Sequence, residues 1–289
     1  MPQFRFRLWT RTLTAAIALA TAGVAFADTA AGLKALESKN YTAAYKDLKE
    51  GADQGDAVAM ANLGLMYARG LGIARDVPVA MQLWHQAAEK GNAQAEFFLG
   101  LNYAKGWGVQ QNYAEASHWF QMAAAQGDGR AQSEIGLLYE DGFGVQQDYK
   151  AAADYYRLAA DKGMARAQFS LAQLLEKGKG VKRDDAAAFA LYKKAAEQGL
   201  PSAQERLGAM YAAGTGVVAD PAQAYFWSTL AAQQNEKNAE RRLAAMASRL
   251  SSGDAARVKE SVSAWKPAVT PVAATPLTQA ARKQALARP

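Results

Sequence analysis

Small and apolar residues recur along this chain at helical spacing, and the whole arrangement returns at a fixed interval. In "AQAEFFLGLNYAKG", residues 93–106, Ala95, Leu99, Gly100 and Tyr103 fall on one face of an α-helix. The same face reads Ala59/Leu63/Gly64/Tyr67, Ala131/Ile135/Gly136/Tyr139 and Ala203/Leu207/Gly208/Tyr211. A Gly-x-Gly follows each time, at Gly70/Gly72, Gly106/Gly108, Gly142/Gly144, Gly178/Gly180 and Gly214/Gly216, and every step is 36 residues. Gly91, Gly127, Gly163 and Gly199 keep the same step. Five units follow without a gap: 57–92, 93–128, 129–164, 165–200 and 201–236. Numbering each unit from its first residue gives columns that can be compared.

Each unit predicts helix, tight loop, helix. Small residues in columns 3 and 8 of the first helix allow close approach of a neighbour, and Leu and Tyr fill the gaps between. The first loop glycine stands where a helix C′ residue needs positive φ. Ile73, Val109, Val145, Val181 and Val217 follow and tuck the loop against the core. Asp76, Asn112, Asp148, Asp184 and Asp220 are placed to N-cap the second helix, with Glu115 and Gln223 positioned for capping boxes. Column 24 is Ala throughout, and bulky residues such as Trp84, Phe120, Tyr156 and Tyr192 come four places later.

A Gly-x-Gly turn also occurs where backbone N–H groups cradle a phosphate. That chemistry needs a strand before the turn, or a Lys-Ser/Thr pair at P-loop spacing. Here a helical pattern precedes every loop and no such pair follows, so the ten loop glycines are read as structural corners.

The tandem pattern Ala-x-x-x-Leu-Gly-x-x-Tyr-x-x-Gly-x-Gly-Val resembles the Sel-one-like repeat (SLR), a family related to the tetratricopeptide repeat. The resemblance covers residues 57–236. It implies an all-α chain wound as a right-handed α/α solenoid superhelix, with first helices lining a concave surface. It also implies an adaptor role in bacterial envelope assembly, signalling or host interaction. Ala172 and Leu175 in the fourth unit, and Asn235 in the fifth, depart from the pattern.

The flanks complete the organisation. Residues 28–56 read as a capping half-repeat, with Asn40 as N-cap and Ala44 and Gly55 in register. Residues 237–266 read as a degenerate helical cap, and 267–289 as a flexible tail holding four of the eight prolines. Residues 1–27 have the form of a signal peptide: Arg5, Arg7 and Arg11, a short apolar run from Leu13 to Phe26, and an Ala25-Phe26-Ala27 cleavage site. The run is shorter than the roughly 20 residues that span a bilayer. Cleavage after Ala27 predicts a periplasmic or secreted protein with no stable membrane insertion.

Charge then loses its apparent meaning. The chain carries +6, but Arg5, Arg7 and Arg11 supply three of those charges and Lys266, Arg282, Lys283 and Arg288 four more. The body is close to neutral, so no nucleic-acid face is indicated. With zero Cys there is no disulfide, thiol nucleophile or Cys-ligated metal. His85 and His118, the two histidines, stand in different columns and do not form a ligand pair. "SAWK", Ser263 to Lys266, matches a bare Ser-x-x-Lys but lacks its companion motifs. No nucleophile, base and oxyanion donor assemble, so no enzyme, cofactor or metal is expected.

The functional expectation rests on the first-helix face away from Ala, Leu and Tyr. Column 9 carries Leu65, Leu101 and Leu137, column 5 carries Phe97 and Phe169, and Phe98 flanks them. Either these residues line a concave groove that takes an envelope protein or peptide, or tight curvature buries column 9 against the next unit. The alternatives to an adaptor are a peptidoglycan- or glycan-binding module and an envelope hydrolase, including a β-lactam-interacting one.

Overall fold

The computed structural model describes residues 29–234, 236–247 and 250–268, and all regular structure among them is helical. The predicted signal peptide and most of the predicted tail lie outside the described residues. The chain divides into two compact units, Met1–Gln126 and Gly127–Pro289.

In the first unit, α1 (residues 29–37) precedes α2 (Tyr41–Asp53), α3 (Ala57–Arg69), α4 (Val77–Glu89), α5 (Ala93–Lys105) and α6 (Tyr113–Ala125). Successive helices from α2 to α6 pack on one another. The buried Thr29 hydroxyl donates to Asp56 at 2.7 Å and ties α1 to the turn before α3.

The second unit contains α7 (Gly129–Asp141), α8 (Tyr149–Asp161), α9 (Ala165–Lys177), α10 (Asp185–Glu197), α11 (Pro201–Ala213) and α12 (Pro221–Ala232). The cap helices α13 (Lys237–Ala247) and α14 (Ser252–Ala264) both pack on α12. A partly buried ion pair fastens α13: Arg242 donates to the Glu205 carboxylate at 2.9 Å and to its carbonyl at 3.0 Å.

Column 8 is glycine because the column-28 ring of the same repeat lies where a Cβ would be. A Cβ on Gly100 would stand 2.6 Å from Phe120, and one on Gly136 2.8 Å from Tyr156. At Gly64 the neighbour is Trp84, whose indole N–H donates to the Ala61 carbonyl at 3.0 Å. The fourth repeat accepts Ala172 here, buried in a cluster with Tyr192. In the fifth, column 28 is Ser228, and the aromatic bulk moves to Trp227, which packs with Val262 of α14 and with Trp265 just after it.

Both glycines of each loop have positive φ, 71° at Gly106 and 73° at Gly108. Gly106 ends α5 in the left-handed conformation of a helix C′ residue. Gly108 has a second constraint: a Cβ there would collide with Val77, at the start of the preceding repeat's second helix. Gly72 stands in the same relation to Tyr41, Gly180 to Tyr149 and Gly216 to Asp185. Gly144 has the same left-handed backbone, with φ of 69°, which favours glycine there. The loop closes when the column-20 N–H returns to the column-11 carbonyl, as in Asn112 to Tyr103 at 2.9 Å and Asp184 to Leu175 at 3.1 Å. Asp76, Asn112, Asp148, Asp184 and Asp220 then cap the second helices. The Gln223 side chain accepts from the Trp227 indole at 3.2 Å.

Candidate partner-binding surface

The first-helix side chains expected to meet a partner separate into two groups. In the first unit Phe97, Phe98 and Leu101 are core residues, with 5%, 8% and 3% exposure. Phe98 stacks on Trp84 with centroids 4.9 Å apart, and Phe97 lies 5.9 Å from Phe120. These three correct the expectation of an open apolar stripe: paired aromatics on α5 reach the column-28 rings and draw the helix inward. Leu65 in the first unit and Leu137 in the second are half-buried. Phe169, also half-buried, meets Tyr192 edge-on at 5.5 Å.

The second unit also places a polar assembly on this side. Tyr156 and Tyr192 run beneath column 8, and their hydroxyls emerge at column 12 of the same repeat. Tyr156 donates to Glu140 at 2.7 Å, and Tyr192 donates to Glu176 at 2.8 Å. Arg206 on α11 then donates to Glu176 on α9, bridging neighbouring first helices. Burial pushes the Glu176 carboxyl up, but the Arg206 and Tyr192 hydrogen bonds outweigh it and hold the group below the usual carboxylate range. The Tyr192 hydroxyl is pushed well above its ordinary range, first by burial and then by the adjacent carboxylate. Hydrogen bonding to Glu176 holds the Arg206 guanidinium firmly charged. The result is an oriented, ionised carboxylate–guanidinium pair.

Repeat comparison contains the signal for this assembly. Column 12 is Glu in the two repeats where column 28 is Tyr, at 140/156 and 176/192, and it is Ala at 68, 104 and 212.

The remaining candidate residues have structural settings. His85 and His118 both lie edge-on to Trp119, at 5.5 and 5.4 Å. The buried Trp119 indole nitrogen has no hydrogen-bond partner among the described residues. The Ser263 hydroxyl donates to the Lys259 carbonyl within α14. Among the described residues no group of three or more His, Asp or Glu is placed to hold a metal ion. No helix among them is long and apolar enough to cross a membrane. Val77, Tyr149 and Asp185 stand where a Cβ on Gly108, Gly180 and Gly216 would lie, so the need for glycine there has a packing cause and requires no phosphate. At the Gly142–Gly144 loop, too, a helix, α7, rather than a strand precedes the turn.

Paired helices of 12 or 13 residues, glycine-cornered loops and buried rings beneath column 8 define an all-helical repeat protein of the solenoid class. The Sel1 repeat family matches residues 57–92, 93–128, 129–164, 165–200 and 201–236, and the chain belongs to that family. The solved structures similar to it include two from bacteria. One is c5321, a protective antigen present in uropathogenic Escherichia coli strains that displays an SLR fold. It is 31% identical with a TM-score of 0.72, over 86% of this chain and 52% of the antigen, so the chain spans about half the antigen's length. The other is a Sel1 repeat protein from Oxalobacter formigenes, 30% identical with a TM-score of 0.69, over 82% of this chain and 100% of that one. None of the curated proteins matches the chain.

Proposed function

We propose that the protein is an exported, non-catalytic scaffold that binds a protein or peptide through the first-helix surface of its repeats. Export rests on the signal-like segment 1–27 and points to the periplasm. The observation that carries the binding reading is the Tyr192–Glu176–Arg206 assembly, with half-buried Phe169 against the Tyr192 ring. Ordering long polar side chains costs conformational entropy. Here a buried tyrosine meets that cost in advance, leaving a charged pair and apolar neighbours in fixed positions, as a specific interface requires. Sel1 repeat membership supports protein interaction as the general role.

Purified protein lacking residues 1–27 tests the reading against its rivals. It is incubated with muropeptides and a chromogenic β-lactam, and separately with peptidoglycan sacculi and envelope proteins. The scaffold reading expects no turnover, and protein capture weakened by Arg206→Glu. Turnover abolished by Ser263→Ala would establish a hydrolase instead. Salt-resistant retention on sacculi that does not depend on Arg206 would establish a glycan-binding module.

A further inference from the structure

The turn between α10 and α11 carries a passenger from the same chain. After α14 the backbone is extended at Trp265 (φ −69°, ψ 139°), and Ala268 donates its N–H to the Glu197 carbonyl at 2.8 Å. Glu197 is the last residue of α10, and a helix C-terminus leaves such carbonyls without an internal donor. Pro267 and Trp265 rest against Gly199, where a Cβ would stand 3.2 Å from the proline ring and 3.8 Å from the indole. The indole packs in the cluster that holds Ala195, Ala196 and Leu200, edge-on to Trp227 at 6.3 Å.

Leu200 is out of character for its place. Column 36 N-caps the next first helix, and Asp56, Asn92 and Asp128 in that register accept backbone N–H groups. Leu200 and Met164 make no side-chain cap. Such a loss is of a size that needs a compensating use of the side chain. At Leu200 the use is visible, since Leu200 belongs to the cluster that receives Trp265.

The Gly163–Met164 turn repeats the construction. The N–H to carbonyl distances are 2.9 Å for both Gly163 to Ala160 and Gly199 to Ala196, and 3.2 Å for both Met164 to Ala159 and Leu200 to Ala195. Gly163 and Gly199 have φ of 82° and 85°. Gln168 and Gln204 brace the two turns through 3.3 Å bonds to Ala160 and Ala196. Leu191 takes the column of Trp227, and with Met164 it packs half-buried on a cluster containing Ala159 and Ala160. Gly163, unlike Gly199, is uncovered: a Cβ on it would meet nothing within 4 Å.

We propose that the Gly163–Met164 turn is a second docking site for an extended aromatic–x–proline–small segment, supplied by another polypeptide. The aromatic ring would lie on Ala160 and Met164, and the proline over Gly163. The N–H that follows would donate to the Asp161 carbonyl. Proline favours such contacts because its extended form is largely preordered and loses little entropy on binding.

A blocked peptide with the sequence of residues 264–268, Ala-Trp-Lys-Pro-Ala, tests the site by NMR titration into the full chain. Saturable shifts of the Gly163 and Met164 amides are expected, with Kd on the order of 1 mM or below. Replacing Trp or Pro in the peptide by Ala should weaken binding by roughly tenfold or more. Met164→Asp restores the polar cap of the other repeats, so it should abolish binding without lowering the melting temperature. The proposal is overturned by an absence of saturable shifts at Gly163, or by shifts confined to Gly199 and Leu200, where peptide merely replaces the chain's own segment. Unchanged binding to the Met164→Asp protein overturns it equally.

Discussion

Glu96 occupies a position built for an amide, and replacing it with glutamine should stabilise the first unit. Column 4 carries Gln132, Gln168 and Gln204 in the last three repeats, all buried. Gln168 and Gln204 donate to a carbonyl of the preceding repeat and accept from Gln198 at 2.8 Å and Gln234 at 2.9 Å. Glu96 keeps the accepting half, taking the Gln126 amide at 2.8 Å, but an ionised carboxylate has no proton to give. Its residue is 1% exposed, and burial pushes its carboxyl up, while Gln126 and His118 oppose the shift. Regaining the missing donor hydrogen bond means that Glu96→Gln should gain on the order of 1 kcal/mol near neutral pH. The sign follows from the raised folded-state value. Relative stability is fully present below the unfolded carboxyl value, about 4.3, and is lost as pH rises through the folded value. The advantage of Glu96→Gln should therefore be small in acid, grow with rising pH and then level off. Hydrogen exchange of α5 and α6 amides in both proteins across this range reads the first unit specifically. A glutamine variant less stable than the parent at pH 8, or a pH-independent difference, would refute the reasoning.

Three further substitutions follow from the geometry. Gly91→Ala meets only the positive-φ penalty, about 1–2 kcal/mol, whereas Gly108→Ala also meets Val77. Thermal melts should rank Gly108→Ala clearly lower, and ATP or NAD should protect neither the parent nor the variant. Leu101→Lys places a charge in the core and should cost several kcal/mol, seen as early loss of the helical circular dichroism signal. A near-native melt would restore Leu101 to the surface. Arg242→Ala strands the buried Glu205 carboxylate and should cost about 3 kcal/mol, with α13 amides exchanging first. Unchanged α13 protection would show that the ion pair does not hold the cap.

The period and the helix pairs were legible in the sequence because one glycine-marked corner must recur wherever the same two helices meet. The caps at Asn112 and Asp148 were legible for the same reason, since a fixed loop leaves one place for a side-chain oxygen. The side on which Leu101 lies was not. Helix α5 is apolar around most of its circumference, and Phe97, Phe98, Leu99 and Leu101 are all buried, so periodicity cannot choose an outward face there. The Glu140–Tyr156 and Glu176–Tyr192 pairs were written in columns 12 and 28, but their meaning depends on the ring passing beneath column 8. The seat of Trp265 left only the apolar Leu200 in a capping column as a trace. The tail expected to begin at Pro267 is in fact seated through Pro267 and Ala268.

Site-specific photocrosslinking in intact cells tests the scaffold account most directly. A photoreactive residue is placed at Gln173, in column 9 beside the Arg206–Glu176 pair, and in a second protein at Lys193, exposed on α10. The account predicts a discrete crosslinked protein from Gln173, lost on Arg206→Glu and not formed from Lys193. Equal products from both positions, or none from Gln173 while the protein is folded, would contradict it.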